Sequence, residues 1–488
     1  MAHVVAVDLG TQTCKATVYD DGLAARGVGR VAIATTHPRP GWAEQDPRAW
    51  EQAVGAAIAA ALADAGLAAA AISALGFTGQ LDGMIAVDAA GAPLSPCWPW
   101  LDRRAGAALP ALDRDRFHAT TGQVADPSHL AAKARRWDRA GGGPRAACFH
   151  APVSYLVARA TGVHVLDPSQ ASTTMLFDLA TGAWDPALCA AFELDPARLP
   201  TIAPATARAG ALHAAGAALT GLPIGTPVAV GTGDDFATPI GIALAERALV
   251  CAVGTAEVVG ARGPIATRDP ARLVETHPYP LGGGFVENPG WAAGGAMTWL
   301  GRLTGLDAAA LDRAAAAVAP GADGVSFVPA LGGAMVPRWD PAARAAFVGL
   351  GPGHGVGHLA RAVYEACAIA MAVVAAHLAA RGVPTDTVAL VGGGARADTW
   401  AQVRADVGGR PVARYADADA CPRGAAILAI AARDGADAID AIVARAPRPI
   451  EWLEPTPAHA ARYADARAQL LATIDALAPI DHAHAARG

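Results

Sequence analysis

The stretch VVAVDLGTQTCKATVYD, residues 4–20, carries the strongest indication of the fold. Two apolar runs flank a short Gly-Thr turn, a pattern typical of a β-hairpin. The turn offers backbone N–H groups, the hydroxyls of Thr11 and Thr13 and the ammonium of Lys15, all of which suit phosphate oxygens. Asp8, at the end of the first run, is placed to hold a hydrated Mg²⁺. An ordinary hairpin with a polar turn is the alternative interpretation of this segment alone.

A second segment, LVCAVGTAEVVG at residues 249–260, repeats the pattern. An apolar run reaches Gly254-Thr255 and a second apolar run follows. Two Gly-Thr hairpins about half a chain apart predict two similar halves, each presenting a phosphate-binding turn. ATP bound between the halves is one inference, and duplication without any nucleotide is the other.

Composition limits the classes of protein that this chain can represent. The 488 residues are 53% hydrophobic and 17% charged, which is enough to bury two substantial cores. A net charge of −6 without a basic cluster argues against nucleic acid as a partner. The seven cysteines form no CxxC pair, which argues against a zinc site and a disulfide framework and fits a reducing cytosol. The Ala-rich runs are too short to span a bilayer and no secretory signal is visible, so we expect a soluble cytoplasmic protein with no membrane partner.

The order of predicted elements indicates an α/β fold. Pro47–Leu67 is typical of a helix with Asp46 as its N-cap, and the predicted strand Ala71–Thr78 follows it. No low-complexity linker separates the halves, so we expect a packed hinge between a domain at 1–245 and a domain at 246–488.

Nine ordered motifs resemble those of the FGGY carbohydrate kinases, and among these the xylulokinases most. They are DLGTQTCK (8–15), GWAEQDPRAW (41–50), GQLDG (79–83), WLDRRA (100–105), GTGDDFATPIG (231–241), VGTAE (253–257), PGWAAGGAMTWL (289–300), WDPAARAAFVGL (339–350) and VGGGARADTWAQVRADVGGRPV (391–412). The resemblance runs to about residue 435. It implies two actin/hexokinase-like domains of the ribonuclease-H type with the active site in the cleft between them. The N-terminal domain would then bind the sugar and the C-terminal domain the nucleotide.

The resemblance also implies an activity, ATP- and Mg²⁺-dependent phosphorylation of a sugar or polyol hydroxyl. Asp234 would be the catalytic base, although a position at the start of a helix also suits an N-cap. The implied substrate-binding residues are Gln80, Leu81, Asp82, Trp100, Asp102 and Asp235. The implied ATP-binding residues are Thr11, Gln12, Thr13, Lys15, Gly254, Thr255, Gly294, Gly295, Gly393, Gly394 and Asp398. Asp8, through water, and Asp234 would hold the metal.

Three departures from the xylulokinase pattern affect the predicted substrate. Asp82 stands where xylulokinases usually carry His, Glu257 where a small residue is more usual, and residues 332–337 lack a common Glu-Arg pair. The leading prediction is an open-chain sugar, most simply a pentulose such as xylulose. The alternatives are a kinase for ribulose, erythritol or glycerol, and a non-catalytic sugar-binding module. Many relatives are dimers, but no segment identifies a homodimer interface.

Overall fold

The computed structural model describes residues 2–142, 146–415 and 420–486, and within them the chain divides into two compact units. The first unit comprises Met1–Ala243, Thr276–Gly284 and Asp419–Pro447. The second comprises Leu244–Glu275, Phe285–Ala418 and Arg448–Gly488. The chain therefore first passes between units close to the predicted boundary at 245, and two later segments of the C-terminal half belong to the first unit. The division into domains at 245 stays a prediction.

The described part of the chain alternates strands and helices. The strands are β1 His3–Leu9, β2 Thr13–Asp20, β3 Ala25–Ala32, β4 Ile72–Gly79, β5 Ile85–Val87, β6 Cys148–His150, β7 Val165–Leu166, β8 Phe177–Asp178, β9 Ala183–Trp184, β10 Thr201–Ile202, β11 Arg208–Ala211, β12 Pro227–Ala229, β13 Ala248–Val253, β14 Glu257–Gly263, β15 Glu275–Pro278, β16 Gly284–Trp291, β17 Ser326–Val328, β18 Ala346–Val348, β19 Thr387–Val391, β20 Val412–Arg414 and β21 Glu451–Leu453. The α-helices are α1 Pro47–Ala65, α2 Arg114–Thr121, α3 Leu130–Trp137, α4 Pro152–Thr161, α5 Pro168–Ser172, α6 Pro186–Ala191, α7 Ala214–Thr220, α8 Asp234–Gly241, α9 Gly294–Thr304, α10 Ala308–Ala316, α11 Val356–Ala379, α12 Asp398–Gly408, α13 Ala420–Asp434, α14 Ile439–Val443 and α15 Ala460–Ala485.

A mixed sheet with the strand order β11-β12-β4-β1-β2-β3 forms the centre of the first unit. β1 pairs with β2 antiparallel and with β4 parallel, so the quoted opening segment is the predicted hairpin. Helix α1 packs on β3, because Gly27 and Gly29 leave room for its backbone. A Cβ atom at Gly29 would lie 2.0 Å from the Ala57 carbonyl oxygen. Asp46 caps α1 by accepting a hydrogen bond from the Arg48 amide, as the sequence predicts.

A second mixed sheet, with β16-β14-β13-β19-β20-β21 in order, forms the centre of the second unit. β13 and β14 are the second predicted hairpin, and β19 lies parallel to β13 on its other side. The two units thus repeat one arrangement, an antiparallel hairpin extended by a parallel strand. The predicted α/β fold class with two domains is confirmed.

One helix in the described part of the chain, α11, is long and apolar enough to cross a membrane. In its most apolar window 78% of the residues are buried within the protein, and it packs in the core of the second unit. Burial of this kind is expected of a central core helix, which is apolar on all sides.

Candidate active site

The first unit brings the Gly-Thr turn of its hairpin against the 79–83 loop. β1 and β4 end together, with Leu9 opposite Gly79 in the parallel register. The Gln80 amide continues the ladder by donating to the Leu9 carbonyl at 2.9 Å. Loops that follow adjacent parallel strands share one edge of a sheet, so Thr11 and Gln80 lie in one neighbourhood.

Asp234 begins helix α8 beside the same loop. The preceding Gly233 packs on the buried side chain of Leu81, and a Cβ atom at Gly233 would lie 2.1 Å from Leu81 Cδ2. A side chain at position 233 would therefore displace the Leu81 side chain. Leu81 thus packs against the start of α8, and its contact with a substrate stays a prediction.

Asp8, Lys15 and Asp234 form one electrostatic group. Asp8 and Lys15 are directly opposed on β1 and β2. Burial and, as a smaller cause, the Asp234 carboxylate together raise the pKa of Asp8 to about 7, and Lys15 acts in the opposite direction. Burial lowers the pKa of the Lys15 ammonium to about 8, with Arg30 acting in the same direction and Asp8 against it.

Three carboxyl groups of the first unit, Asp82, Asp234 and Asp235, influence one another. Burial raises the pKa of Asp234. Hydrogen bonds from the backbone amides of Asp234 and Asp235 lower this pKa, and the charge of Asp82 raises it. Burial raises the pKa of Asp235 well above its usual range, and the charges of Asp234 and Asp82 add to the effect. Carboxylates that repel one another in a partly buried site favour a bound cation or hydrogen-bond donors.

The Asp82 side chain is held from one side by a histidine that the sequence did not reveal. Asp82 Oδ1 lies 3.0 Å from His129 Nδ1, and His129 is buried at the start of α3. Within the described residues Asp82 Oδ2 receives no hydrogen bond. The Asp82 backbone is left-handed, with φ +59°, a conformation that Asp and Asn adopt more readily than other non-glycine residues.

A fully buried lysine, Lys133 on α3, connects the two loops that carry the predicted substrate-binding residues. Its Nζ atom donates to the Asp82 carbonyl at 2.6 Å and to the Pro99 carbonyl at 2.8 Å. Burial lowers its pKa to about 8. Pro99 directly precedes Trp100, so Lys133 sets the spacing of both loops.

Gln45, from the GWAEQDPRAW motif, connects the 79–83 loop to the Gly-Thr turn. Its Nε2 donates to the Thr11 carbonyl and the Thr35 hydroxyl, each at 2.7 Å, and its Oε1 accepts from Gln80 Nε2 at 2.8 Å. Both glutamines are buried. Gln80 Oε1 is a buried acceptor without a partner in the described structure, so it can receive a hydroxyl from a ligand.

Trp100 and Asp102 differ in their surroundings. The Trp100 side chain is 42% exposed and its Nε1 donates to the Thr11 hydroxyl at 2.9 Å. Asp102 is fully buried and accepts from the Ala43 amide at 2.8 Å and from Arg104 Nε at 2.7 Å. These protein partners make Asp102 a support for the neighbouring chain, and contact with a substrate stays a prediction for it.

The remaining residues of the first turn contribute backbone. The Gln12 carbonyl accepts from the Ile33 amide at 2.8 Å, and the Gln12 side chain is exposed. The Thr13 carbonyl accepts from the Gly10 amide at 3.0 Å, which closes the turn.

Asp167 and His277 are two further residues of this region that the sequence analysis missed. Asp167 is buried, caps α5 and accepts a hydrogen bond from the Thr232 hydroxyl at 2.9 Å, two residues before Asp234. His277 Nδ1 lies 2.8 Å from Ser172 Oγ, and burial lowers the pKa of His277 to about 3. An Asp-Pro pair is a sequence signal for a helix cap and could have drawn attention to Asp167, but no sequence pattern connects either residue to the 231–241 segment.

In the second unit, the predicted ATP-binding glycines gather at the end of β13. A Cβ atom at Gly294 would lie 2.2 Å from the Gly254 carbonyl oxygen, and one at Gly394 would lie 2.3 Å from Val253 Cγ1. The Gly295 amide donates to the Thr255 carbonyl at 2.8 Å. Glycine at these positions allows the two later segments to pack against the end of β13, and nucleotide binding there stays a prediction.

Gly393 and Asp398 continue this arrangement. Gly393 opens a short 3-10 helix after Gly392, whose φ is +88°. Asp398 is the first residue of α12, its side chain is 83% exposed, and it pairs with Arg414 on β20. The second unit thus brings together its own predicted residues, as the first unit brings together Asp8, Thr11, Lys15, Gln80, Asp82, Trp100, Asp234 and Asp235. Their role in binding ligands stays a prediction.

A divalent cation fits the donor set of the first unit. Carboxylate oxygens are the ligands that Mg²⁺ prefers, and it usually keeps several waters when bound by one or two carboxylates. Asp8 and Asp234 repel each other strongly enough to raise the Asp8 pKa, a repulsion that a cation would relieve.

Comparisons with known proteins agree with this architecture. The model of the N-terminal domain of the FGGY family of carbohydrate kinases matches residues 3–241, and that of the C-terminal domain matches residues 249–433. A glycerol kinase from Alkalilimnicola ehrlichii is 34% identical over 453 residues, which covers 88% of this chain and 90% of that protein. The crystal structure of a "xyloylose kinase" from Brucella ovis has a TM-score of 0.89 at 28% identity, covering 98% of this chain and all of that one. The xylulose kinase of Rhodospirillum rubrum gives 0.86 at 29% identity with the same coverage. The resemblance predicted from the motifs is confirmed at the level of the family, and the chain belongs to the FGGY family of ATP-dependent carbohydrate kinases.

Proposed function

We propose that this kinase transfers the γ-phosphate of ATP to a hydroxyl of a neutral open-chain sugar, with a pentulose such as xylulose as the leading substrate. The observation that carries the proposal is the group of three mutually interacting carboxyls, Asp82, Asp234 and Asp235. In their ionised form these carboxyls accept hydrogen bonds only, so they select hydroxyl donors and repel an anionic sugar acid.

Asp234 acts as the base. The substrate hydroxyl attacks the γ-phosphorus, the bond from that phosphorus to the β,γ-bridging oxygen breaks, and the hydroxyl proton passes to the Asp234 carboxylate. The first turn of α8 stabilises the ionised form of that carboxylate. In phosphoryl transfer the nucleophile has to be positioned more than activated, so a strong base is unnecessary.

The hairpin of the first unit supplies the positive charge and the donors. Lys15 and the hydroxyl of Thr11 bind phosphate oxygens, and in the second unit Thr255 offers a corresponding hydroxyl. Asp8, through water, and Asp234 would hold Mg²⁺, which when bound neutralises charge on the transferring phosphoryl group.

Glycerol is the second candidate substrate, on two observations. The relative from Alkalilimnicola ehrlichii is named a glycerol kinase. The two similar crystal structures are named a "xyloylose kinase" and a xylulose kinase. In addition, Asp82 provides an acceptor where xylulokinases provide a His donor, and a polyol presents hydroxyl donors at every carbon.

Coupled measurement of ADP release tests the proposal with D-xylulose, L-xylulose, D-ribulose, L-ribulose, xylitol, erythritol, glycerol and gluconate. The expected result is turnover of a neutral ketose or polyol with kcat/KM at least about a hundredfold above that of gluconate. Turnover of gluconate alone would contradict the assigned role of the three carboxyls. Silence with every neutral sugar, with sugar binding still measurable by calorimetry, would instead favour a non-catalytic module.

A further inference from the structure

Three metal-ligating side chains meet in the first unit away from the residues discussed so far. Cys148 and His150 lie on β6, and His164 directly precedes β7. One ligand atom from each lies within 4.8 Å of the others. Residues two apart on a strand face the same side, which is why Cys148 and His150 both point to His164. The absence of a CxxC pair argued against a zinc site, but this cluster assembles only when two short strands fold together.

The two histidines already face each other through the atoms that a metal needs. His150 Nε2 lies 2.8 Å from His164 Nδ1, so at least one of these nitrogens is unprotonated and carries a lone pair. Two nitrogens bound to one tetrahedral Zn²⁺ at about 2.0–2.1 Å would be about 3.4 Å apart. The rings therefore need to separate by only about half an ångström.

A buried serine orients the first histidine. Ser154, on α4, has its Oγ 2.7 Å from His150 Nδ1. When the hydroxyl accepts the Nδ1 proton, Nε2 is left as the free donor atom and the ring plane is fixed. A hydrogen bond to the distal nitrogen is the usual outer contact of a metal-ligating histidine.

The three side chains of the cluster differ in burial. Cys148 and His150 are buried, whereas His164 is half-buried. A metal reaching the cluster past His164 can keep one water. We propose that Cys148 Sγ, His150 Nε2 and His164 Nδ1 bind one Zn²⁺, with water as the fourth ligand and with release of the thiol proton. One thiolate and two imidazoles form a donor set that zinc prefers to the hard ion Mg²⁺.

Binding at this position would stabilise the strand next to the 79–83 loop. β6 pairs antiparallel with β5, with His150 opposite Ile85, and β5 begins two residues after Gly83. We expect Zn²⁺ to raise the melting temperature of the protein through this pair, since a ligand that binds only the folded state stabilises it.

Cobalt titration of the chelator-treated full chain tests the site, with Mg²⁺ present throughout. One equivalent of Co²⁺ should give a thiolate-to-cobalt charge-transfer band, and Zn²⁺ should remove it by competition. Cys148→Ser should abolish the band, and His164→Gln should weaken Co²⁺ binding at least about tenfold. Cys189→Ser, which removes another buried cysteine of the first unit, should change neither result.

Two outcomes would overturn the proposal. A wild-type protein that gives no such band would show that the histidines only share a hydrogen bond. A band that persists in Cys148→Ser would assign the metal to another thiol. If Cys148→Ser does not fold, the half-buried His164→Gln decides the question, because unchanged Co²⁺ affinity in that variant excludes His164 as a ligand.

Discussion

Glu257 and Arg404 form a fully buried, two-pronged ion pair in the second unit. Arg404 Nη1 donates to Glu257 Oε1 at 2.5 Å and Nη2 donates to Oε2 at 2.7 Å. The Cys251 thiol donates to the same Oε1 at 2.8 Å. Glu257 lies two residues after the second Gly-Thr turn, at a position where xylulokinases more usually carry a small residue. The ion pair with Arg404 gives this glutamate a structural role. The carboxylate is a structural group of the β13–β14 hairpin and its charge is matched within the same unit.

Breaking this pair from one side should destabilise the protein strongly. Arg404→Met leaves the Glu257 carboxylate buried and unpaired, and we expect a loss of about 3–5 kcal/mol in the free energy of unfolding. Replacing both residues, Glu257→Met with Arg404→Leu, should restore much of that loss because no charge remains buried. Denaturant titration measures both. The exposed pair of Arg247 and Asp386 is the control, and Arg247→Met should destabilise the protein far less than Arg404→Met, because water solvates the remaining carboxylate. Equal losses of stability in the single and double variants would show that the unpaired Glu257 charge is not the cause of the destabilisation.

Loss of the Asp234 carboxylate should remove chemistry and leave nucleotide binding intact. We expect Asp234→Asn and Asp234→Ala to lower kcat by at least about two orders of magnitude, since proton acceptance by a positioned side chain contributes about that much. Steady-state kinetics and calorimetry with ATP measure the two quantities. Asp113→Asn, which alters only the cap of α2, is the matched control. Near-normal turnover in Asp234→Ala would exclude this residue from proton transfer.

Gln45 should affect both substrates, because it hydrogen-bonds to both the Gly-Thr turn and the 79–83 loop. We expect Gln45→Ala to raise KM for the sugar and for ATP by about fivefold each, the equivalent of about one hydrogen bond. Gln45→Glu replaces two donated hydrogen bonds by repulsion from the Thr11 carbonyl and should be worse than alanine. Gln52→Ala, an exposed change on α1, is the control. A lower melting temperature with unchanged KM values would make Gln45 a structural residue only.

The sequence predicted the elements that local patterns define. Both Gly-Thr hairpins, the capped helix after Asp46 and the strand predicted at Ala71–Thr78, which is β4, are found in the structure. Each depends on apolar periodicity, turn residues or a cap within a few positions of the chain. The nine ordered motifs, through their resemblance to the FGGY family, also predicted the two-domain fold.

Contacts between distant segments were outside the reach of that reasoning. Arg404 is 147 residues from Glu257, and His129 is 47 residues from Asp82. Nothing in the local sequence of either partner indicates the other, because burial and pairing are decided by packing of the whole unit. Leu81 is a similar case, since only the fold shows that it packs on Gly233.

His277 should make the stability of the protein depend on pH. Burial lowers its pKa to about 3, with Asp82 raising the value and His129 lowering it. In the unfolded chain a histidine takes up a proton below about pH 6.5, whereas folded His277 does not until about pH 3. The free energy of unfolding therefore decreases as the pH falls from about 6.5 towards about 3, because only the unfolded chain binds a proton at this histidine. Between about pH 7 and about pH 5 the stability of the wild type should fall by about 2 kcal/mol relative to His277→Gln. Denaturant titrations of both proteins across this range measure the difference, and a difference that stays constant with pH would show that folded His277 accepts the proton.

Asp82 should determine which sugars the enzyme prefers. Its Oδ1 is held by His129, so Oδ2 is the oxygen that can accept a substrate hydroxyl. Asp82→Asn keeps a residue that tolerates the left-handed backbone but offers a donor as well as an acceptor, which makes it the cleanest probe. We expect it to change the ranking among pentuloses and polyols, with the preferred sugar losing about 1–3 kcal/mol in kcat/KM. Asp82→His should shift the ranking towards D-xylulose, although a left-handed histidine adds strain of about 1 kcal/mol.

His129→Gln tests the orientation of the Asp82 side chain separately. It should lower kcat/KM for the preferred sugar without changing the ranking of the others, because the Asp82 carboxylate remains. If all three variants keep the wild-type ranking and efficiency, Asp82 only shapes the turn and the xylulokinase assignment gains support.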